Sequence, residues 1–361
     1  LASAILTDQQ FAVSLLEEML GRKRSGASGL DLLPRLSEIR EGYEELLCSS
    51  FRTGRAAKEL GTGNPYWSAR EGELRKFRKV MRDPSIKVIT FDIFDTLIQR
   101  ATERPVDVFK FLEARALEIT GGIAQDFARV REVLEKETRS RLEPIEGEIT
   151  IDDIYDAIGE YYGLEDSAVE KLKEEEIELE VRLSIPRRFG KALWEEAVAS
   201  GKEIYLLSDM YLPLEVVKRL LAKAGYSEYR EIYLSSMKKC QKRTGALFQL
   251  FLNDKNVAAV SVFHIGDNKN NDVRQPESKG IRAMRWSSAI DWQRANLLYK
   301  EIYSPKTGVG GRARSLVAGL TAQALFDDPG GKDALSTLFN GQPSYLGYAA
   351  LGPMYVAYVL W

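Results

Sequence analysis

Short apolar and β-branched runs recur through the middle of the chain and alternate with stretches of helical spacing. The five runs are KVITF, KEIYLLS, EIYLS, AAVSVFHI and GIRAMRW, which begin at Lys87, Lys202, Glu231, Ala258 and Gly280. The intervening segments LPLEVVKRLLAKAGY and TGALFQLFLND place apolar residues on one helix face. Continuously apolar strands that alternate with helices indicate a parallel sheet covered on both faces. The pattern therefore predicts an α/β core of the Rossmann type.

A long helical segment interrupts this alternation after the first strand. Four stretches there have a helical period and no convincing strand lies among them: DVFKFLEARALEI, FARVREVLEKETRSRL, TIDDIYDAIGEYYG and AVEKLKEEEIELEVRL. We interpret residues 101–196 as a helical module inserted into the α/β domain. The acidic run KLKEEEIELE within it is predicted to be a solvent-exposed helix face.

The chain outside the core is also predicted to be helical. The predicted organisation has a helical N-terminal region (1–84), a core in two pieces (85–100 and 197–290), the helical insertion (101–196) and a helical C-terminal region (291–361). The apolar tail Tyr345–Trp361 is interrupted by Gly352 and Pro353 and is shorter than the roughly 20 residues of a membrane span. We predict a buried helix there, with a membrane or interfacial segment as the alternative.

Composition narrows the chemistry that the chain can perform. With 51 basic and 53 acidic residues, the net charge of -2 gives no bulk attraction to nucleic acid or to anionic membranes. The two cysteines, Cys48 and Cys240, fit a reducing compartment and predict a cytoplasmic protein. A single histidine, His264, nearly excludes histidine-dependent triads and multi-histidine metal sites. Catalysis would have to use carboxylates, hydroxyls, lysine and a hard cation held by oxygen.

Polar side chains follow four of the predicted strands. In open parallel sheets, ligands bind beyond the carboxyl ends of the strands, so side chains at these positions are expected to converge. The candidates, in strand order, are Asp92 and Asp95, Ser208 and Asp209, Lys242, and Asp267 with Asn268 and Asp272.

Carboxylates that converge without compensation would repel and raise each other's pKa. A bound Mg²⁺ and the ammonium of Lys242 would remove that penalty. Asp92 and Asp267 suit Mg²⁺, which prefers oxygen ligands, and Asp272 would be a third ligand or support the other two. Asp92 could also attack phosphorus, while Ser208 and Lys242 hold the non-bridging oxygens.

Four motifs resemble those of the haloacid dehalogenase (HAD) superfamily and occur in the same order. They are FDIFDTL, LLSDMY, the K-x-x-G-x-L-F of Lys242–Phe248, and HIGDNKNND. The resemblance covers about residues 86–290. It implies that Asp92 is the nucleophile, Ser208 binds the phosphoryl group and Lys242 neutralises charge. It also implies that Asp267 and Asp272 belong to a metal site and that the helical insertion is a cap.

A narrower resemblance concerns FDIFDTL-x-x-R, SDMYLP and HIGDN. These stretches are similar to a bacterial branch of the superfamily that is often encoded beside, or fused to, glycosyltransferases of surface-polysaccharide synthesis. The similarity implies a fused or neighbouring glycosyltransferase as a partner. Together the two resemblances imply Mg²⁺-dependent hydrolysis of a small phosphorylated metabolite, such as a sugar or polyol phosphate, through an aspartyl phosphate.

Phe94 departs from the phosphatase pattern. Phosphatases of the superfamily usually carry an acid two residues after the nucleophile, where it protonates the leaving oxygen and then activates water. The resemblance implies that this position still offers its backbone carbonyl to the metal. A specialised phosphatase would replace the acid by Asp95, by a cap residue or by a good leaving group. The alternatives are a degenerate scaffold or docking module, and a dehalogenase, which has an aromatic residue there and needs no Mg²⁺.

Several further residues have two interpretations each. Asp95 either bonds turn backbone or works as an acid or base. Arg100, Asp209 and Asn268 are candidates for substrate binding, although turn formation also explains Asn268. His264 lies inside a strand and is predicted to be a core histidine whose hydrogen bonds are satisfied.

Three residues of the insertion are spaced to share one helix face. Arg131, Glu135 and Arg139 are four residues apart. We expect a surface ladder of ion pairs, and a substrate-reading face formed by Arg131 and Arg139 is the alternative.

Overall fold

The computed structural model describes residues 65–142, 148–295 and 312–327. The chain divides into two compact units, and the larger one, Ala69–Ala289, contains the predicted core and insertion. The strands, numbered in chain order, are β1 (Val88–Phe91), β2 (Ile98–Arg100), β3 (Ser184–Pro186), β4 (Glu203–Ser208), β5 (Ile232–Leu234), β6 (Val262–Gly266) and β7 (Arg282–Arg285).

The helices of the described residues are numbered in the same way. They are α1 (Pro65–Met81), α2 (Phe109–Ile119), α3 (Phe127–Leu142), α4 (Ile151–Tyr162), α5 (Asp166–Leu183), α6 (Arg188–Ala199), α7 (Leu214–Lys223), α8 (Ser235–Lys238), α9 (Ala246–Lys255), α10 (Gln275–Ser278), α11 (Ala289–Ala295) and α12 (Arg312–Phe326).

Five strands form one parallel sheet in the order β5-β4-β1-β6-β7. All five were predicted, and the predicted α/β class with a parallel sheet is confirmed. Phe91 of β1 pairs with Leu206 of β4 on one side and with Ile265 of β6 on the other. This register brings the carboxyl ends of the three central strands to the same edge of the sheet.

Aromatic and aliphatic side chains cover both faces of the sheet. On one face, the ring of Phe91 lies 5.5 Å from that of Trp194 in α6 and 6.4 Å from that of Phe77 in α1. On the other face, Tyr233 of β5 packs against Phe251 of α9. Burial of each such side chain contributes about 1.5–3 kcal/mol, which explains why the strands are apolar throughout.

The helical insertion follows the first strand of the sheet, as predicted. Helices α2 to α5 lie between β2 and β3, which pair antiparallel with Arg100 opposite Ser184. This short ribbon was not predicted, because three-residue strands that contain Gln99, Arg100 and Ser184 have no apolar pattern. The limits of the insertion as a domain stay a prediction.

The acidic run in α5 is only partly exposed. Glu176 and Glu180 are fully buried, four residues apart and in line with the buried Leu172. The predicted solvent-exposed face is therefore wrong for these two glutamates. They are buried because each pairs with a buried arginine, as described below.

The predicted helical flanks fall largely outside the described residues. Helix α1 belongs to the predicted N-terminal region, and α11 and α12 lie in the predicted C-terminal region. In the smaller unit, Gln293 Nε2 donates to the carbonyl of Ala318 at 3.1 Å. No helix in the described part of the chain combines the length and apolar character of a membrane span. The tail 345–361 lies outside the described residues.

Candidate active site

Three carboxylates meet where β1 and β6 end. Asp92 follows β1, Asp267 follows β6, and Asp272 lies in a π-helical turn, Lys269–Arg274, directly after them. One carboxylate oxygen of each residue lies within 4.8 Å of the other two. The peptide N–H of Asp92 donates to the carbonyl of Ile265 at 2.8 Å, which extends the β1–β6 pairing to the nucleophile position.

Lys242 connects two of these carboxylates. Its Nζ lies 2.6 Å from Oδ1 of Asp92 and 2.6 Å from Oδ1 of Asp272, and all three side chains are buried. Burial alone would lower the pKa of Lys242, but the charges of Asp272 and Asp92 raise it above its ordinary value. The lysine therefore remains an ammonium between the two acids.

The loop that carries Lys242 is held by Asp209. The peptide N–H groups of Lys242 and Arg243 donate to the two carboxylate oxygens of Asp209, at 2.7 and 3.3 Å. Ser208 is buried at the end of β4, directly before this aspartate. Asp209, a candidate for substrate binding, thus has a local role in fixing the lysine loop.

Gly266 allows Asp272 to approach the end of β6. A Cβ atom at residue 266 would lie 2.3 Å from Cγ of Asp272, which is closer than real Cβ atoms come. The peptide N–H of Asn268 donates to Oδ2 of Asp272 at 2.9 Å. The side chain of Asn268 accepts from the N–H groups of Asn270 and Asn271, so it caps the same turn.

His264 is buried with both ring nitrogens in hydrogen bonds, as predicted for a core histidine. Its Nδ1 lies 2.8 Å from Oγ1 of Thr90, and its Nε2 lies 3.2 Å from Oδ1 of Asp272. Burial lowers the pKa of His264, which favours the neutral ring. Burial alone would raise the pKa of Asp272, but Lys242 and His264 together bring it below its ordinary value.

The site has more negative than positive charge. Burial raises the pKa of Asp92 to about 7, with Asp272 adding to the effect and Lys242 opposing it. Burial also raises the pKa of Asp267 well above its ordinary value, and the neighbouring carboxylates of Asp95 and Asp92 raise it further. A divalent cation would relieve both effects. Three converging carboxylate oxygens are donors that suit Mg²⁺.

The segment after Asp92 is a tight turn. Asp95 has a left-handed backbone with φ of 59°, and its N–H donates to the carbonyl of Ile98 at 2.6 Å. Its own carbonyl accepts from Nη1 of Arg187 at 2.6 Å. Both of these hydrogen bonds use backbone atoms of Asp95, so the predicted bond from its side chain to the turn backbone stays a prediction. Its use as an acid or base stays a prediction, as does the metal-binding carbonyl of the half-buried Phe94.

Sequence reasoning missed Thr96, whose Oγ1 donates to Oδ2 of Asp92 at 2.9 Å. It lies four residues after Asp92 in the FDIFDTL motif, and that fixed spacing was the available signal. The donated hydrogen bond and the ammonium of Lys242 hold both oxygens of Asp92. The nucleophile candidate is therefore oriented before any substrate arrives.

Arg131 and Arg139 belong to a network of ion pairs in the insertion. Arg131 is fully buried: its Nε and Nη2 donate to both oxygens of Glu176, and its Nη1 donates to Glu135 at 2.9 Å. Arg139 pairs with Glu135 at 3.3 Å and with Glu148. The predicted ladder of ion pairs is present, but the expectation that it lies at the surface is wrong for Arg131, which is fully buried. The pairing also argues against substrate contact by Arg131.

Glu148 was also missed by sequence reasoning. Its Oε2 accepts from Oγ of Ser235, which in turn accepts from the N–H of Met210 at 2.9 Å. These contacts tie the insertion to the segments that follow β4 and β5. No pattern in the sequence indicates a pairing across such a separation.

Comparisons with known proteins give distant structural likenesses. No protein-family model matches the chain, and no curated protein sequence matches it. A haloacid dehalogenase-like family hydrolase from Xanthomonas campestris is similar with a TM-score of 0.41 and 17% identity, over 58% of this chain and 84% of that one.

Two further solved structures show a similar level of likeness. A HAD family enzyme from Bacteroides thetaiotaomicron, in complex with magnesium and inorganic phosphate, has a TM-score of 0.39 and 19% identity, over 58% of this chain and 98% of that one. The 2-haloacid dehalogenase from Pseudomonas syringae pv. Tomato has a TM-score of 0.40 and 19% identity, over 56% and 86%. Likenesses at this level assign neither activity nor substrate to the chain.

Proposed function

We propose that the protein is a HAD-superfamily hydrolase that removes phosphate from a small phosphorylated metabolite with the help of Mg²⁺. The observation that carries the proposal is the position of Lys242 Nζ, which is 2.6 Å from both Asp92 and Asp272 while Asp267 completes a carboxylate triad. Such a site neutralises and orients a phosphoryl group, which is the main catalytic work of phosphoryl transfer.

The covalent steps follow from the proposed role of Asp92. One carboxylate oxygen of Asp92 attacks phosphorus, the ester P–O bond breaks, and the leaving oxygen takes a proton from solvent, because Phe94 cannot supply one. Water then attacks the phosphorus of the aspartyl phosphate and loses a proton to solvent, which breaks the bond to Asp92, releases inorganic phosphate and restores the carboxylate. Ser208 and the ammonium of Lys242 would hold the non-bridging oxygens during both displacements.

Asp92, Asp267 and Asp272 are the residues that would hold Mg²⁺, together with the backbone carbonyl of Phe94. When bound, the ion supplies positive charge against which the phosphoryl oxygens are stabilised. The raised pKa values of Asp92 and Asp267 are consistent with this part of the proposal, because burial disfavours each ionised carboxylate and a bound cation would favour it.

Phe94 makes the proposed enzyme a specialised phosphatase. Its side chain neither donates a proton to the leaving group nor accepts one from water. Replacing Phe94 with Asp is expected to raise kcat on alkyl phosphates by about 10²-fold, which is within the usual contribution of general acid–base catalysis. Phe94→Asn is the control, because it is polar but does not titrate. An Asp variant no faster than wild type would contradict this role for residue 94.

The proposal is tested by phosphate release from a broad panel of phosphomonoesters with and without Mg²⁺. Sugar and polyol phosphates are the first compounds to test, because of the resemblance to the polysaccharide-synthesis branch. We expect Mg²⁺-dependent release that Asp92→Asn abolishes. Release that is unchanged in Asp92→Asn would contradict the nucleophile assignment.

Phe94 also favours a second candidate, a degenerate module that serves as a scaffold or docking unit in polysaccharide synthesis. No phosphate release together with no Mg²⁺ binding by calorimetry would support that role. Halide release from haloacids without a metal would instead support a dehalogenase. The carboxylate triad disfavours the dehalogenase, since halide displacement needs no divalent ion.

A further inference from the structure

Arg100 ends β2 beside the proposed active site and is held by a buried ion pair. Its Nε donates to both oxygens of Glu180 in α5, at 2.8 and 3.1 Å. The side chain of Arg100 is 8% exposed and that of Glu180 is 1% exposed. An arginine fixed at Nε has its two terminal nitrogens free to point elsewhere, in one plane and with defined spacing.

The guanidinium lies between the segments that follow β1 and β4. Its central carbon is 5.0 Å from the ring centroid of Phe94, two residues after Asp92. The side chains of Asp95 and Tyr211 lie close enough to interact electrostatically with it, and Tyr211 is three residues after Ser208. Arg100 therefore lies beside both strand ends that supply the proposed nucleophile and phosphoryl-binding hydroxyl.

Within the part of the chain that the structure describes, the hydrogen bonds of the Arg100 side chain are donated by Nε, and its two terminal nitrogens make none. Other buried arginines differ. Arg131 donates from Nε, Nη1 and Nη2 to carboxylates, and Arg187 donates from Nη1 and Nη2 to the carbonyls of Asp95 and Ser287. The terminal nitrogens of Arg100 are not among the fully buried, partnerless polar atoms of the described residues, so they keep some access to the surface. A guanidinium fork that is held at Nε beside a candidate site and remains accessible can bind an anion.

We propose that the two terminal nitrogens of Arg100 bind a second anionic group of the substrate. The substrate class is then a small phosphate monoester that carries a carboxylate or a second phosphate. Both groups present two oxygens that match the fork of an arginine, which is the geometry of the stronger charge-assisted hydrogen bonds. This inference rests on the proposed function, because it takes the phosphoryl group to lie at Asp92.

Binding of non-hydrolysable phosphonates tests the inference without requiring turnover. Calorimetry at fixed free Mg²⁺ would compare methylphosphonate with phosphonoacetate, 3-phosphonopropionate and methylenediphosphonate. We expect at least one of the doubly anionic compounds to bind about ten-fold more tightly than methylphosphonate. The length and type of the best compound then distinguish a carboxylate from a second phosphate.

Variants assign the preference to Arg100. The double variant R100M/E180M removes the buried pair as a unit and is expected to abolish the preference. R100K keeps a positive charge beside Glu180 but lacks the two terminal nitrogens of arginine, so it is expected to weaken the preference. It tests the role of Arg100 if the double variant does not fold. The matched control R131M/E176M removes another buried pair and should keep the preference. Circular dichroism and melting curves report folding.

The outcomes separate this inference from the proposed function. Equal binding of all phosphonates by wild type, or a preference that survives in both Arg100 variants, overturns the role of Arg100. Phosphate release without such a preference removes this inference alone. A preference that depends on Arg100, in a protein that hydrolyses no phosphomonoester, retains the anion site and removes the hydrolase.

Discussion

Two clusters of buried charge in the larger unit differ in their balance. The strand-end cluster has three carboxylates and one ammonium: Asp92, Asp267, Asp272 and Lys242. Two buried ion pairs of the ribbon and the insertion form the second cluster, with two guanidinium groups and two carboxylates: Arg100 with Glu180, and Arg131 with Glu176. Both clusters are largely removed from water, so the difference in charge decides what each can do.

A cluster with balanced charge is stable without a bound ion, whereas an unbalanced one needs an ion to compensate its excess charge. Buried ions cost free energy unless partners compensate them. In the second cluster each carboxylate is compensated by an arginine. The Arg100–Glu180 pair holds α5 to the ribbon, and the Arg131–Glu176 pair holds α3 to α5. The strand-end cluster has two negative charges in excess when its acids are ionised, which invites a cation and a transferable anionic group. Excess charge, rather than burial, therefore distinguishes the cluster that would bind a metal ion from the one that holds the insertion together.

The largest expected effect comes from removing the cation of the strand-end cluster. Lys242→Met should lower kcat by about 10³-fold or more and reduce the metal-free free energy of unfolding by about 3–5 kcal/mol, because two buried acids lose their partner. Phosphate release and urea denaturation measure the two effects. The control is Lys238→Met, whose side chain is 31% exposed. Equal effects of both variants would contradict the role given to Lys242.

Breaking the balanced cluster should affect stability alone. Arg131→Met leaves Glu176 buried without its main partner and should cost about 3–5 kcal/mol of unfolding free energy in urea. R131M/E176M should recover much of that loss, because both charges are removed. Activity per folded molecule should stay near wild type in the double variant. A selective loss of kcat there would show that the two clusters are coupled.

Mg²⁺ should stabilise the protein in a pH-dependent way. The pKa of Asp92 is raised from 3.8 to about 7, so the folded metal-free protein keeps a proton that the unfolded chain loses. Metal-free stability should therefore fall as pH rises through this interval. Mg²⁺ at a hundred times its Kd at pH 8 should add about 2.7 kcal/mol to the stability near pH 8. The same concentration should add clearly less near pH 5, and melting curves measure both values. The reverse pH dependence would contradict the assignment.

The smallest effect is expected from added volume at the strand end. Gly266→Ala places a Cβ against Asp272 and should cost about 1–3 kcal/mol of stability and weaken Mg²⁺ binding. Gly72→Ala in α1 is the matched control, since nothing lies closer than 3.9 Å to its Cβ position. It should be neutral or stabilise by about 1 kcal/mol in the same denaturation series.

The sequence predicted the sheet well because its strands are buried on both faces and remain apolar throughout. The ends of β1 and β6 could also be predicted, since polar residues interrupt apolar runs there. Gly266, Thr96 and His264 contribute contacts to the site that depend on exact distances. Contacts of this kind depend on the three-dimensional distance between two atoms, which the periodicity of a sequence does not reveal.

The insertion was harder to predict, for a physical reason. Arg131, Glu176 and Glu180 are polar residues on helices, and helical periodicity assigns polar residues to solvent. They are buried because they meet one another across different helices. A pairing between distant segments is invisible to any local window. The same limit hid the contact between Glu148 and Ser235.

The ribbon of β2 and β3 has a consequence for how this protein could change over time. Arg100 and Ser184 face each other where the chain leaves the sheet and where it returns. A different module between them would keep this ribbon but would have to replace the contact of Glu148 with Ser235 as well. If the two proposals hold, Arg100 stands where the part of the chain that sets selectivity joins the part that performs the chemistry.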